Sequence, residues 1–276
     1  MNSITVDTIK SFKNSKKCFS AITAYDYSSA QIIDSVNIPM VLVGDSASMV
    51  SYGYSTTIPI SMDEIILVTR AVCRGVKNAL VVGDMPFLSY QTSAATAIKN
   101  AGLLLKKGGV GAVKLEGGAE IVPQVKKIVA SGIPVVGHVG LTPQSVNAFS
   151  GYGVQGKNIK SAQKILDDAR AIEGAGAFSI VLECVPTQLA QHITQELMIP
   201  TIGIGSGAGC DGQIQVYNDV LGLSANFSPK HAKKYLNLNK NIKDAINRYQ
   251  VEVGQKKFPS EEHSFSYKKN IIDKLK

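Results

Sequence analysis

Short apolar runs that end in an ionisable residue recur along this chain, and the recurrence limits the folds open to it. Val41-Leu42-Val43-Gly44 leads into Asp45, and Leu80-Val81-Val82-Gly83 into Asp84. Gly111-Ala112-Val113 leads to Lys114 and Glu116, Val135-Val136-Gly137 to His138, and Ser179-Ile180-Val181-Leu182 to Glu183. Segments with helical spacing lie between them. A parallel strand buried on both faces reads as an unbroken apolar run and needs a helical crossover before the next. The pattern predicts a (β/α)8 TIM barrel, whose strand ends converge on one mouth where the chemistry sits. Two acids, a lysine–acid pair, a histidine and another acid at successive strand ends describe an active site, so the chain reads as an enzyme.

The spacing predicts strands over 19–23, 39–44, 80–83, 111–115, 134–137, 178–182 and 201–203, with an eighth near 220–223. Helices are expected over 28–36, 61–75, 93–107, 119–131, 161–174 and 187–197. Ser61-Met62-Asp63-Glu64 is a capping-box signature that opens the second of them. The barrel should occupy about 18–228 of a single domain. A helical, lysine-rich C-terminal extension follows over 229–276, with a helix over 241–253 that packs outside the barrel or against another subunit. The glycine-rich stretch 141–158 reads either as a mobile loop over the mouth or as a passive surface loop.

Composition narrows the class further. At 276 residues, 45% of them hydrophobic, the chain can build the large core of a barrel of roughly 250 residues. No run approaches the ~18 apolar residues of a membrane span, and the polar N-terminus lacks a secretion signal, so a cytoplasmic location is expected. The four cysteines (Cys18, Cys73, Cys184, Cys210) are scattered and read as reduced thiols. The net charge of +8 is concentrated in 230–276, which holds twelve Lys/Arg against five Asp/Glu. Only four of the basic residues are Arg, and none sits in a basic cluster with interleaved aromatics, which argues against nucleic-acid binding. The lysines read as a solvated surface, or as a long-range attractor for a polyanionic small molecule.

Asp45 and Asp84 end adjacent strands, and Glu116 ends the next. Carboxylates that close repel unless a proton or cation lies between them. Three of them with no His or Cys partner make a hard-oxygen site suited to Mg²⁺. Lys114, two residues before Glu116, shares its strand face and reads as a point charge for an anionic substrate group, with a Schiff-base role as the alternative. Glu183 is the candidate general base, since a carboxylate partly withdrawn from water can take a proton from carbon. His138 reads as a ligand, an acid, a substrate hydrogen-bond donor or a structural histidine. Gly203-Ile204-Gly205-Ser206-Gly207-Ala208-Gly209 lacks dinucleotide-fingerprint spacing; it could bind an anion or let a flat ligand approach the backbone.

A set of ordered blocks spanning nearly the whole chain resembles the ketopantoate hydroxymethyltransferase family. The blocks are Thr23-Ala24-Tyr25-Asp26, Val43-Gly44-Asp45-Ser46, Gly83-Asp84-Met85-Pro86-Phe87 and Val113-Lys114-Leu115-Glu116-Gly117-Gly118. They continue through Gly137-His138-Val139-Gly140-Leu141-Thr142-Pro143-Gln144, Gly153-Val154-Gln155-Gly156, Leu182-Glu183-Cys184-Val185-Pro186, Ile202-Gly203-Ile204-Gly205 and Pro259-Ser260-Glu261-Glu262-His263-Ser264-Phe265. The resemblance implies one Mg²⁺ per subunit on Asp45, Asp84 and Glu116, and a 2-oxo acid contacted by Ser46 and Lys114. Asp45, Asp84 and His138 belong to the same substrate site, and Glu183 is the implied base. It also implies a homodecamer, and transfer of a hydroxymethyl group from 5,10-methylenetetrahydrofolate to 3-methyl-2-oxobutanoate through a Mg²⁺-stabilised enolate, giving 2-dehydropantoate for pantothenate synthesis.

Two departures stand out. Ala47-Ser48 replaces the family's usual Leu-Gly, and Ser55-Thr56-Thr57-Ile58-Pro59 replaces Asp-Ser-Thr-Leu-Pro. The ligand set is intact. The alternatives are a Mg²⁺-dependent 2-oxo acid aldolase or lyase that needs no folate, and a catalytically silent barrel protein.

Overall fold

The computed structural model describes residues 3–15, 17–149, 151–224, 229–267 and 275. Eight parallel strands close into a barrel in chain order, the last pairing with the first. They are β1 (Phe19–Thr23), β2 (Met40–Val43), β3 (Leu80–Asp84), β4 (Ala112–Lys114), β5 (Val135–Gly140), β6 (Ser179–Glu183), β7 (Thr201–Ile204) and β8 (Gly212–Gln215). The helices are α1 (Val6–Ser11), α2 (Tyr27–Ser35), α3 (Ala47–Val50), α4 (Met62–Gly75), α5 (Ala94–Leu103), α6 (Val122–Ala130), α7 (Ile159–Gly174), α8 (Thr187–Glu196), α9 (Tyr217–Leu221) and α10 (Leu238–Gly254). The capping box opens α4, with the Ser61 side chain accepting from the Glu64 amide and Glu64 accepting from the Ser61 amide.

Alternation along each strand sorts the core into two layers. Val41, Val43, Val81, Val113, Val135, Ile180 and Leu182 pack outward among the helices. Met40, Leu42, Leu80, Val82, Ala112, Val136, Val181 and Ile202 fill the barrel interior. The inward rows then continue upward in steps of two: Leu80 and Val82 lead to Asp84, Ala112 to Lys114 and Glu116, Val136 to His138, and Val181 to Glu183. The hydrocarbon filling of the barrel is thus the floor of the ionisable cluster.

The N-terminal segment, read from sequence only as polar, closes the opposite end of the barrel. Ile9 of α1 is fully buried beside Phe19, and the Phe12 and Phe19 rings stack 4.8 Å apart. The Lys13 ammonium donates to the Thr194 carbonyl and, at 3.1 Å, to Asp211.

One strand differs from expectation. The eighth strand is not at 220–223: β8 is Gly212–Gln215, and 217–221 is helical. Gly-Gln-Ile-Gln turns only Ile214 into the core as a hydrophobe, so it carries no apolar run. Gly212 has no side chain because a Cβ there would stand 2.6 Å from the Phe19 ring. The apolar run that suggested a strand instead ends α9, and Gly222 stops that helix in the left-handed region at φ 64°. Elsewhere the shifts are small; β5 extends three residues beyond 137 and so carries His138 within the strand.

The C-terminal helix is longer than expected, and none of its residues is buried. Ile242, Ile246, Tyr249 and Val253, at helical spacing, are all exposed. Several extension lysines (Lys268, Lys269, Lys274, Lys276) lie outside the described residues.

Under the barrel, Asp34 of α2 caps the turn that feeds β3. Its carboxylate accepts from the amides of Lys77, Asn78 and Ala79 at 2.9–3.0 Å, and from the Asn78 side chain at 3.0 Å. Burial pushes this carboxyl up, but the four donors outweigh it and hold it below the usual aspartate range. Asp34→Ala should cost about 2–3 kcal/mol in denaturant unfolding at neutral pH. Because the folded pKa is depressed, that contribution is complete above the unfolded-state value and fades as pH falls through the folded one. The gap between wild type and variant should therefore narrow in acid.

Candidate active site

The ionisable ends of β2 to β6 meet at one mouth. One carboxylate oxygen from each of Asp45, Asp84 and Glu116 lies within 4.8 Å of the others, and all three side chains are buried. Asp84 is the last residue of β3, Asp45 follows the turn out of β2, and Glu116 sits two residues beyond β4. Lys114 stands among them, its Nζ 2.8 Å from both Asp84 oxygens and 3.2 Å from Glu116 Oε1. His138 lies between two acids, with Nδ1 3.4 Å from Glu116 Oε1 and Nε2 3.4 Å from Glu183 Oε2. Glu183 retains 14% side-chain exposure and is the acid of this group that opens to solvent. The Ser46 hydroxyl is 2.7 Å from the Tyr25 hydroxyl. Six of the seven residues singled out in the sequence are therefore brought together, and Ser46, next to Asp45 in the chain, meets Tyr25 instead.

The charges are unequally balanced. Burial raises the Lys114 ammonium's cost, but Asp84 and Glu116 outweigh it and push its pKa up, so it stays charged. That charge works against a Schiff-base role. Glu116 falls to about 2: burial opposes ionisation, but Lys114 and His138 overcome it. His138 rises to about 9, since Glu116 and Glu183 outweigh burial and the Lys114 charge; at neutral pH it is an imidazolium. Asp45 goes the other way. Burial first, then Asp84 and Glu116, raise it well above the aspartate range, with only Lys114 and a hydrogen bond from Gln144 in opposition. Burial and Glu116 raise Asp84 too, against Lys114. Three buried carboxylates with one lysine among them lack positive charge, and the deficit falls on Asp45. An all-oxygen donor set with that deficit fits a hard divalent cation.

Three residues of the site carried no role in the sequence reading. Gln144, in the turn after β5, donates through Nε2 to Asp45 Oδ2 at 2.9 Å and through its backbone amide to Glu116 Oε2 at 3.0 Å. The buried Tyr90 hydroxyl lies 2.8 Å from Gln144 Oε1 and accepts from the Glu116 amide at 3.1 Å. Tyr25 holds Ser46. None of the three is ionised at neutral pH, and a tyrosine beside apolar neighbours reads as core; only their positions inside the family-like blocks set Tyr25 and Gln144 apart.

Loop 141–158 reaches over the mouth. Tyr152 is raised by partial burial and by Asp45, Glu183 and Glu116, and its hydroxyl lies 3.9 Å from Met49 Sδ of α3. The loop and α3 thus meet across the opening; Ser150, within this stretch, lies outside the described residues. The glycine-rich turn after β7 packs instead: the Ser206 hydroxyl donates to Leu182 O and accepts from the Val185 amide. At Gly207 a Cβ would stand 2.4 Å from Thr187. The two departures from the family pattern touch, because the buried Ser48 hydroxyl donates to the Thr56 carbonyl at 2.7 Å.

The sequence model of the ketopantoate hydroxymethyltransferase family matches residues 3–261. The 3-methyl-2-oxobutanoate hydroxymethyltransferase of Clostridium novyi (strain NT) is 54% identical, covering 98% of this chain and 98% of its own length. That of Carboxydothermus hydrogenoformans (strain ATCC BAA-161 / DSM 6008 / Z-2901) is 52% identical over the full length of both. Among solved structures, a phosphoenolpyruvate phosphomutase from Streptomyces platensis subsp. rosaceus superposes with a TM-score of 0.62 at 13% identity, covering 98% of this chain and 94% of that one. The last is a likeness of fold.

Lys114→Met removes the cation that Asp84 and Glu116 share and leaves both acids buried. In metal-free buffer the variant should lose about 3–5 kcal/mol in denaturant unfolding. Millimolar Mn²⁺ should recover part of that loss.

Proposed function

The chain belongs to the ketopantoate hydroxymethyltransferase family, and from its mouth we propose how it carries a hydroxymethyl group from 5,10-methylenetetrahydrofolate to 3-methyl-2-oxobutanoate. A Mg²⁺ ion held by Asp45, Asp84 and Glu116, one per subunit, would supply Lewis-acid polarisation of the oxo acid's carboxylate and ketone oxygens. Lys114 adds a fixed positive charge beside those oxygens and so favours the enolate over the ketone. Ser46, held by Tyr25, donates a hydrogen bond to the same substrate, while His138, with one ring nitrogen facing Glu116 and the other Glu183, acts through those two acids.

Glu183 takes the proton from C3, and the C–H electron pair moves into the enolate. His138 Nε2, 3.4 Å from Glu183 Oε2, keeps that carboxylate turned to the mouth. C3 then bonds to the one-carbon unit, both carbon–nitrogen bonds of the bridging methylene break, and one water supplies the hydroxyl of the product, 2-dehydropantoate. The proton taken from C3 and the remaining water proton go to the two folate nitrogens, which leave as tetrahydrofolate. Loop 141–158, through Tyr152, limits solvent at the mouth while the enolate exists. The observation that carries this reading is the pairing of a charge-deficient carboxylate triad with a separate, partly exposed glutamate across one histidine.

The exposed apolar row on α10, Ile242, Ile246, Tyr249 and Val253, supports a homo-oligomer, which we take to be a decamer. Among the described residues no helix is long and apolar enough to cross a membrane, which is consistent with a cytoplasmic enzyme. The lysines of the extension are placed by this reading as attractors for polyanionic folate tails.

Deuterium exchange at C3 of 3-methyl-2-oxobutanoate in D₂O tests the base and the metal separately. Glu183→Gln should slow exchange by about 100-fold or more while Mn²⁺ binding stays near wild type. Chelation should abolish exchange in the wild type, and added Mg²⁺ should restore it. Unchanged exchange in the variant would remove Glu183 as base; exchange indifferent to chelation would remove the metal.

A further inference from the structure

Gln144 carries no charge, yet it touches two of the three carboxylates from one position. Its Nε2 donates to Asp45 Oδ2 and to Met85 O, both at 2.9 Å, which uses both amide hydrogens. Its backbone amide donates to Glu116 Oε2 at 3.0 Å. Gln144 Oε1 accepts from Gln91 Nε2 at 3.3 Å and lies 2.8 Å from the Tyr90 hydroxyl. Because the Met85 carbonyl can only accept, the amide has one orientation, and Nε2 is the end that meets Asp45. Tyr90 is anchored in turn on the Glu116 backbone, accepting from its amide and lying 2.8 Å from its carbonyl. Gln144 and Tyr90 are 3% and 0% exposed, so water does not compete for these bonds.

Lys114 reaches Asp84 and Glu116, which leaves Asp45 as the acid without an ion pair among the described residues. Its carboxylate is repelled by both neighbours, and the Gln144 amide is the one side-chain donor it has among the described residues. We infer that Gln144 is a positioning residue for the carboxylate triad, holding Asp45 in register with Glu116 through one rigid arm that Tyr90 locks. A neutral amide suits this role. It fixes a carboxylate without cancelling the negative charge that attracts a cation, whereas a lysine in its place would repel one. The inference rests on the reading that the triad holds the metal.

The test is Mn²⁺ binding, followed by electron paramagnetic resonance, in the full-length wild type, Gln144→Leu and Tyr90→Phe. Gln144→Leu keeps the bulk and the backbone donor to Glu116 and removes only the amide. Its Mn²⁺ affinity should fall about 10- to 100-fold, with an altered spectrum of the bound ion. Saturating Mn²⁺ should return kcat most of the way to wild type, a recovery that a merely structural defect would not show. Tyr90→Phe frees the amide without removing it and should give a smaller loss in the same direction; it decides the matter if Gln144→Leu does not fold. Wild-type affinity in the folded variants would overturn the inference and leave the metal reading standing. Absence of Mn²⁺ uptake by the wild-type chain would overturn both.

Discussion

Side chains two residues apart on a strand share a face, and in this barrel that period carries each inward row from hydrocarbon into charge. Leu80, Val82 and Asp84 form one such row, and Ala112, Lys114 and Glu116 another. Register between neighbours fixes the height at which the change occurs: Asp84 pairs with Lys114, and His138 lies beside Val181, two residues below Glu183. A slip of one residue would exchange the two faces, moving ionisable groups into the helix-facing layer and valines to the mouth. The packing of the lower barrel therefore determines the chemistry of the upper barrel, because one alternating row serves both.

Placing that many charges on an apolar floor polarises the site. Within one cluster Glu116 titrates near 2 while Asp45 is raised well above its usual range. The difference follows from who stands next to whom: Glu116 has Lys114 and the His138 imidazolium, and Asp45 has an amide. Burying like charges opposes folding, and the cluster tolerates it because the strands beneath are held by two continuous hydrophobic layers.

Much of this was legible in the sequence where the physics is local. Seven strands could be read from apolar runs, and the five ionisable strand ends from the residues that close those runs. The eighth strand could not, because Gly212–Gln215 draws its burial from Phe19 and its neighbours across the sheet rather than from its own hydrophobicity. The N-terminal plug was passed over because its segment is polar overall, although Val6, Ile9 and Phe12, three residues apart, form the short apolar face that packs under the barrel. Gln144 and Tyr90 escaped because a neutral hydrogen-bonding side chain acquires a role only from what surrounds it, and those surroundings come from residues up to 99 positions away.

The hydrogen bond from Ser48 to the Thr56 carbonyl joins the two departures from the family pattern in space. A glycine at 48 has no hydroxyl to offer, so the loop at 55–59 would there need another anchor, and an aspartate at its head is a natural one. Such positions are epistatic. Placing glycine at 48 removes this tether to the Thr56 carbonyl, so its effect on the loop should depend on the residue at 55.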